Sequence, residues 1–342
     1  MQESIKIIPI NAEIYSAFYT IVQSSQWGNL MLPMEYNSKL WGDVIYQNDE
    51  IIGGWVGTIR GDLPVVRLIT KSVYFDSYPI FINENIKREY CSTLIEHVKR
   101  HAMRDKIVML NLTHWVRNDG HILDIIEKKA SFLTELNTTE EMLWKQVESK
   151  QRNCIRKGEK SGVEFEVCNG QDALKYLDDF QKLRMLTQQH AISKNQHTSM
   201  LLKSGEFFKK LFLLPTTTLF VGKIQNQVAT VALMIQSGQT VYYYSGGSDY
   251  ELNRKCCCSA FVIWKAICYY NSIGVQYFDM GGVPVNPNKE HSAYGVYAFK
   301  RSFGGEYMEF DGGKIIIAPF RYKLLQFLLS QRKLLRFFST KL

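Results

Sequence analysis

One order of elements occurs twice along this chain, and that repetition limits the fold more than any single motif does. In the first half, a short strand over 43–46 is followed by a turn at 47–50 and a second strand over 51–59. A connection containing 65–69 leads to a helix over 85–103 and a closing strand at 107–112. In the second half, strands over 219–224, 228–235 and 241–245 are separated by turns at 225–227 and 237–239. A helix over 259–270, an exit at 272–274 and a buried strand over 275–280 complete that series. Both halves thus read as antiparallel strands, then a helix, then a strand. A long-period duplication accounts for this economically and predicts an α+β chain of two domains rather than a solenoid of short repeats. The boundary falls near 131–139, which gives an N-terminal domain over 1–135 and a C-terminal domain over 136–342.

A chain of 342 residues with 46% hydrophobic and 22% charged side chains can bury a sizeable core in each half. The net charge of +8 is compatible with an anionic partner such as phosphates, RNA or a lipid headgroup surface. The N-terminus lacks a basic region followed by a long apolar run, and no segment holds eighteen consecutive apolar residues. Seven cysteines, an odd number without a repeated C-x-x-C pattern, fit reduced thiols in a cytoplasmic protein. His97 and His101 are four apart on a predicted helix, but the H-E-x-x-H pattern is missing, and no metal site is expected.

The most distinctive local feature is Lys150–Val163. It places five cations, Lys150, Arg152, Arg156, Lys157 and Lys160, within eleven residues. Thr138 and Glu141 have the spacing of a capping box, so a single helix over 139–161 is predicted. Helical spacing stacks Arg152, Arg156 and Lys160 on one face with Asn153 and Lys157 beside it. Such a face is either a solvated basic surface, favoured by the helix dipole at its C-terminal end, or a surface for phosphates. The C-terminal stretch 321–342 alternates Leu/Phe clusters with Arg and Lys and predicts an amphipathic basic helix, broken near Ser330–Gln331. It either packs on the second domain or attaches peripherally to anionic lipid at the inner face of the membrane.

Three segments, Lys150–Val163, Tyr277–Gly282 and Gly295–Glu306, together with Gln26-Trp27-Gly28, give the chain a family resemblance. They resemble the Fem family of peptidoglycan aminoacyltransferases and its wider FemAB-like relatives. The resemblance implies two tandem GNAT-like domains, each a mixed, largely antiparallel sheet flanked by helices. It also implies transfer of an amino acid from aminoacyl-tRNA to an amine of a cell-wall precursor, without metal, cofactor or covalent intermediate.

On that resemblance Lys300 supplies positive charge at the ester or phosphate end. Asp279, ending an apolar strand before two glycines, positions or deprotonates an amine or caps the turn. Tyr243, in the run Tyr242–Tyr244, sends a phenol toward the cleft or packs in the core. Read as a strand, 295–303 sets Lys300 opposite in facing to Phe299 and Arg301. Lys150, Arg152, Asn153, Arg156, Lys157, Trp27, Tyr297 and Arg301 complete the expected substrate-binding set.

Two segments depart from the family pattern. No cation follows Trp27 until Lys39, where relatives acting on nucleotide-linked precursors commonly carry a Lys. Asn253–Ala260 has no glycine where acetyl-CoA-using enzymes cradle pyrophosphate, which disfavours coenzyme A as donor. A second reading therefore stays open: a FemAB-like N-acyltransferase acting on an amino sugar or glycan in surface-polysaccharide biosynthesis.

Overall fold

The computed structural model describes residues 4–24, 40–62, 67–75, 77–116, 122–193 and 205–339. Trp27 lies outside them. The chain begins β1 (Ile5–Pro9), α1 (Ala12–Ser24), β2 (Leu40–Gln47), β3 (Glu50–Arg60), α2 (Arg67–Thr70), β4 (Ser72–Phe75) and β5 (Ile80–Phe81). It continues α3 (Glu84–Arg104), β6 (Met109–Val116), β7 (Ile125–Glu135), α4 (Glu140–Gln146), α5 (Ser149–Lys160), β8 (Glu164–Cys168), α6 (Gly170–Leu174) and α7 (Leu177–Ser193). Then come α8 (Gly205–Phe212), β9 (Thr217–Ile224), β10 (Gln227–Ser237), β11 (Thr240–Ser248), α9 (Tyr250–Cys256) and α10 (Cys258–Ser272). The last elements are β12 (Tyr277–Asp279), α11 (Tyr294–Arg301), β13 (Glu306–Ile316) and α12 (Pro319–Ser339).

These residues form two compact units. The first holds the chain up to Lys128 and takes back Phe310 onward; the second is Lys129–Glu309. The sequence alone predicts 136–342 as one domain, whereas the contacts return the end of the chain to the first unit. The reason is strand pairing: Gly313–Ile316 of β13 pairs antiparallel with Met109–Leu112 of β6. In mirror fashion, Leu133–Glu135 of β7 pairs antiparallel with β12 inside the second unit.

Each unit carries the same sheet. In the first, β1, β2, β3 and β4 run antiparallel in sequence, and β4 pairs parallel with β6. In the second, β8, β9, β10 and β11 do the same, and β11 pairs parallel with β12. Equivalent hairpins turn on left-handed pairs, Asn48–Asp49 and Gln225–Asn226, the conformation that matches strand twist in two-residue loops. A parallel pair needs a crossover, supplied by α3 in one unit and by α10 in the other.

α3 buries Leu94, Ile95, Val98 and Ala102 against Trp55, Phe75 and Ile45. Beneath it, the fully buried carboxylate of Asp43 on β2 lies 3.0 Å from His101 Nδ1 and 3.6 Å from His97 Nδ1. Among the described residues no group of three His, Cys, Asp or Glu is placed to hold a metal. α10 is apolar nearly all round, with Phe261, Val262, Ile263, Trp264, Ile267 and Tyr270 buried. Each large side chain buried there contributes about 1.5–3 kcal/mol of hydrophobic stabilisation to the second unit.

The basic segment is two helices, not one. Thr139, rather than Thr138, caps α4, and the chain breaks at Val147 (ψ 132°) and Glu148 before α5 starts. The guanidinium of Arg152 fills the break by donating to the carbonyl of Val147, with those of Trp144 and Lys145 at 3.5 and 3.4 Å. α5 then crosses α10 closely: a Cβ on Gly158 would lie 2.6 Å from Phe261 Cβ. α12, predicted to break near Ser330, is continuous.

Candidate active site

In the second unit the parallel pairing is short. Register between β11 and β12 runs Thr240–Tyr277, Val241–Phe278 and Tyr242–Asp279. β12 stops there, while β11 continues to Ser248. On its other edge β11 carries a bulge: Leu233 faces Ser245 and Met234 faces Tyr243, leaving Tyr244 extra. The bulge breaks the simple alternation expected for Tyr242–Tyr244. Tyr242 is buried, while Tyr243 and Tyr244 are both half-buried.

The turn after β12 lies against β11. Gly281 has φ +73°, and a Cβ there would meet the carbonyl of Tyr243 at 2.6 Å, so only glycine lets the chain lie this close to β11. Its N–H donates to Asp279 Oδ1 at 2.7 Å. The Ser131 hydroxyl sits between Asp279 Oδ1 and the Gly281 carbonyl, the latter at 3.0 Å. With one proton, it serves one of these oxygens at a time. Asp279 is 4% exposed, so it is a buried carboxylate whose orientation is fixed by the turn it begins.

Lys300 reaches this turn from α11. The sequence predicts a strand at this position, but Tyr294–Arg301 is helical, so Lys300 and Arg301 are separated by the helical step rather than by strand alternation. Gly304 and Gly305, both with positive φ, carry the chain out of the turn that follows. Lys300 Nζ donates to the Gly282 carbonyl at 3.1 Å and lies 5.6 Å from the centre of the Tyr243 ring. Burial pushes this amine down to about 8, against the opposing pull of the Asp279 carboxylate. The Tyr243 phenol is pushed up to about 12 by burial, so it stays a donor at neutral pH. Lys300, Asp279 and Tyr243 therefore gather around one turn.

The substrate-binding candidates are placed differently. Arg301 Nε pairs with Glu148 Oε1 at 3.0 Å, and the Glu148 N–H donates to the Ser302 carbonyl at 2.9 Å. These bonds fasten the end of α11 to the start of α5, joining residues 153 apart in sequence into one surface. Tyr297 packs edge-on against Phe132, with centroids 5.3 Å apart. Lys150, Asn153, Arg156 and Lys157 are exposed on α5. Arg156 lies 5.3 Å over the Trp144 ring and borders a cleft of about 410 Å³ between α4, α5 and α10. Arg152, by contrast, is committed to capping α4.

Two residues escaped the sequence. Ser131 sits in β7, whose pairing no local pattern announces. Arg184 on α7 is 8% exposed, donates from Nε to Ser245 Oγ at 2.9 Å, and lies 4.4 Å over the Phe208 ring. It reads in sequence as an ordinary helix cation.

Two units of antiparallel meander, crossover helix and parallel strand constitute a tandem GNAT-like fold. The crystal structure of FemX superimposes with a TM-score of 0.72 at 15% identity, covering 93% of this chain and 99% of that one. The C-terminal domain of a putative lysylphosphatidylglycerol synthetase from Agrobacterium fabrum gives 0.59 at 13%, covering 89% and 92%. A tandem GNAT protein from the clavulanic acid biosynthesis pathway gives 0.52 at 9%, covering 92% and 99%. No curated protein matches the sequence. Residues 217–330 match the FemAB family, a stretch that contains Tyr243, Asp279 and Lys300. Over that stretch the chain is similar to the FemAB family, and it shares its fold with these three structures.

Proposed function

We propose that this chain transfers an aminoacyl group from aminoacyl-tRNA to an amine of a peptidoglycan precursor. The observation that carries the reading is the Lys300 amine, held by the Gly282 carbonyl at 3.1 Å and set beside Tyr243 and the Asp279 turn. In aminoacyl transfer the acceptor amine attacks the ester carbonyl through an oxyanionic tetrahedral intermediate. A C–N bond forms, the bond to the ribose oxygen breaks, and the amine proton ends on the departing hydroxyl. Lys300, cationic at neutral pH, stabilises the oxyanion. Asp279 accepts from the Gly281 N–H and so orients the turn that presents the Gly282 carbonyl to Lys300. Tyr243 supplies the aromatic wall and a neutral phenol. The exposed cations of α5 contact phosphates of the tRNA acceptor end or of the acceptor substrate.

A specific observation disfavours the rival reading, in which coenzyme A donates an acyl group to an amino sugar. A pyrophosphate needs free N–H groups where α10 begins. Here the Ser259 N–H is already held by Asn253 Oδ1 at 2.9 Å, Cys258 is fully buried, and Cys257 takes the left-handed conformation that glycine would occupy.

Incubation of the protein with labelled aminoacyl-tRNA pools and a mixture of soluble and membrane precursors tests the proposal. Label entering an acid-stable acceptor, and disappearing after ribonuclease treatment, is the expected result. Labelling from acyl-CoA or acyl-carrier donors, with none from tRNA, sinks it and favours the polysaccharide reading.

A further inference from the structure

α12 leaves an apolar stripe in solvent. Phe320 is 80% exposed, Phe327 59%, Leu328 42% and Leu324 39%. At 100° per residue these four fall within an arc of about 100°, so they form one face. The sequence continues the same spacing at Leu334, Leu335 and Phe338. The helix does not owe its position to that face. Arg321, at the edge of that arc, donates to the carbonyls of Leu68 (3.2 Å), Lys106 (2.8 Å) and Ile107 (3.3 Å), which moors the first turn beside α2 and the end of α3. This also corrects the expected packing on the second domain.

The charge of the helix narrows what can cover the stripe. Pro319–Ser339 contains Arg321, Lys323, Arg332, Lys333 and Arg336 and no Asp or Glu. Lys323 is exposed at the border of the apolar arc. No helix among the described residues is long and apolar enough to cross a membrane. A helix whose charged residues are all cations, with exposed Phe and Leu along one side and too polar to span, has the chemistry of an element that lies in the headgroup layer. We propose that α12 docks the protein on an anionic lipid surface, burying Phe320, Leu324, Phe327 and Leu328 among acyl chains while its cations meet headgroup phosphates. This rests on α12 alone and is independent of the donor assigned above.

The test is co-sedimentation of the full chain with vesicles of phosphatidylcholine, and with vesicles in which a third of the lipid is phosphatidylglycerol. The expected result is binding roughly tenfold or more tighter to the anionic vesicles, weakening as salt is raised. Phe320→Glu with Phe327→Glu should abolish pelleting without changing the circular dichroism or thermal melt, since both side chains are in solvent. Lys323→Glu with Lys333→Glu, which spares the apolar face, should cut anionic-vesicle binding at least tenfold. Equal binding to neutral vesicles, or undiminished pelleting of the Phe variant, overturns the proposal. So does a concentration-dependent dimer that the Phe variant abolishes, because the stripe would then belong to a second copy.

Discussion

If Lys300 works as a cation, its depressed ionisation must appear in the pH dependence of transfer. With the amine at about 8, about 90% of the protein carries the charge at pH 7 and about 10% at pH 9. kcat/KM should then fall about tenfold across that interval with a midpoint near 8. A lysine at its ordinary 10.4 would lose only a few per cent there. Asp279 opposes the burial effect, so Asp279→Asn should move the falling limb to lower pH. Lys300→Met should remove the limb and lower kcat by about 10²–10³, the range for loss of one oxyanion-stabilising group. The assay is single-turnover transfer from aminoacyl-tRNA, with spontaneous ester hydrolysis measured in parallel at each pH. A rate that rises through pH 8 would mean the neutral amine acts as a base; a flat profile would remove Lys300 from the chemistry. Folding carries the complementary signature. A lysine depressed in the native state costs stability below about 8, and that cost is relieved as pH rises from there toward the unfolded value.

Gly281→Ala forces a side chain into φ +73° and onto the Tyr243 carbonyl; a loss of about 1–3 kcal/mol in urea unfolding, with transfer reduced, is expected. Asp43→Ala strips His101 and His97 of their buried carboxylate and should cost about 3 kcal/mol, seen as an earlier thermal transition. Arg156→Ala and Lys157→Ala should weaken tRNA binding and reduce the salt slope by about 1 each, with circular dichroism unchanged. Arg152→Ala should instead lower stability by about 1 kcal/mol, because it exposes the carbonyls ending α4.

What the sequence disclosed follows from how local each feature is. The hairpins at 48–49 and 225–226, and the crossover helices α3 and α10, are written in neighbouring residues, so the duplicated layout was legible. The exchange of β7 and β13 was not, because each pairs with a strand from the other half of the chain and no short window encodes the partner. The Lys300 segment misled for a different reason. Tyr294–Arg301 is rich in aromatic residues that favour strands, yet its turn contacts and the glycine pair beyond it settle a short helix. The break between α4 and α5 has no Pro or Gly to announce it; it depends on a guanidinium five residues downstream. Lys300, Asp279 and Tyr243 were named from residue type and resemblance, whereas Ser131 and Arg184 acquire significance only once β7 and α7 are in place.

The exchanged strands also set a timetable for synthesis. A ribosome that has released residues up to 128 has not yet made the strand that pairs with β6; that strand emerges only after the whole of Lys129–Glu309. The second unit is complete first, and the first waits for the end of the chain. A gene cut between residues 135 and 136 would therefore yield two polypeptides that each hold a strand the other needs, and neither should fold alone. Co-expressed, they should be recoverable only as a pair.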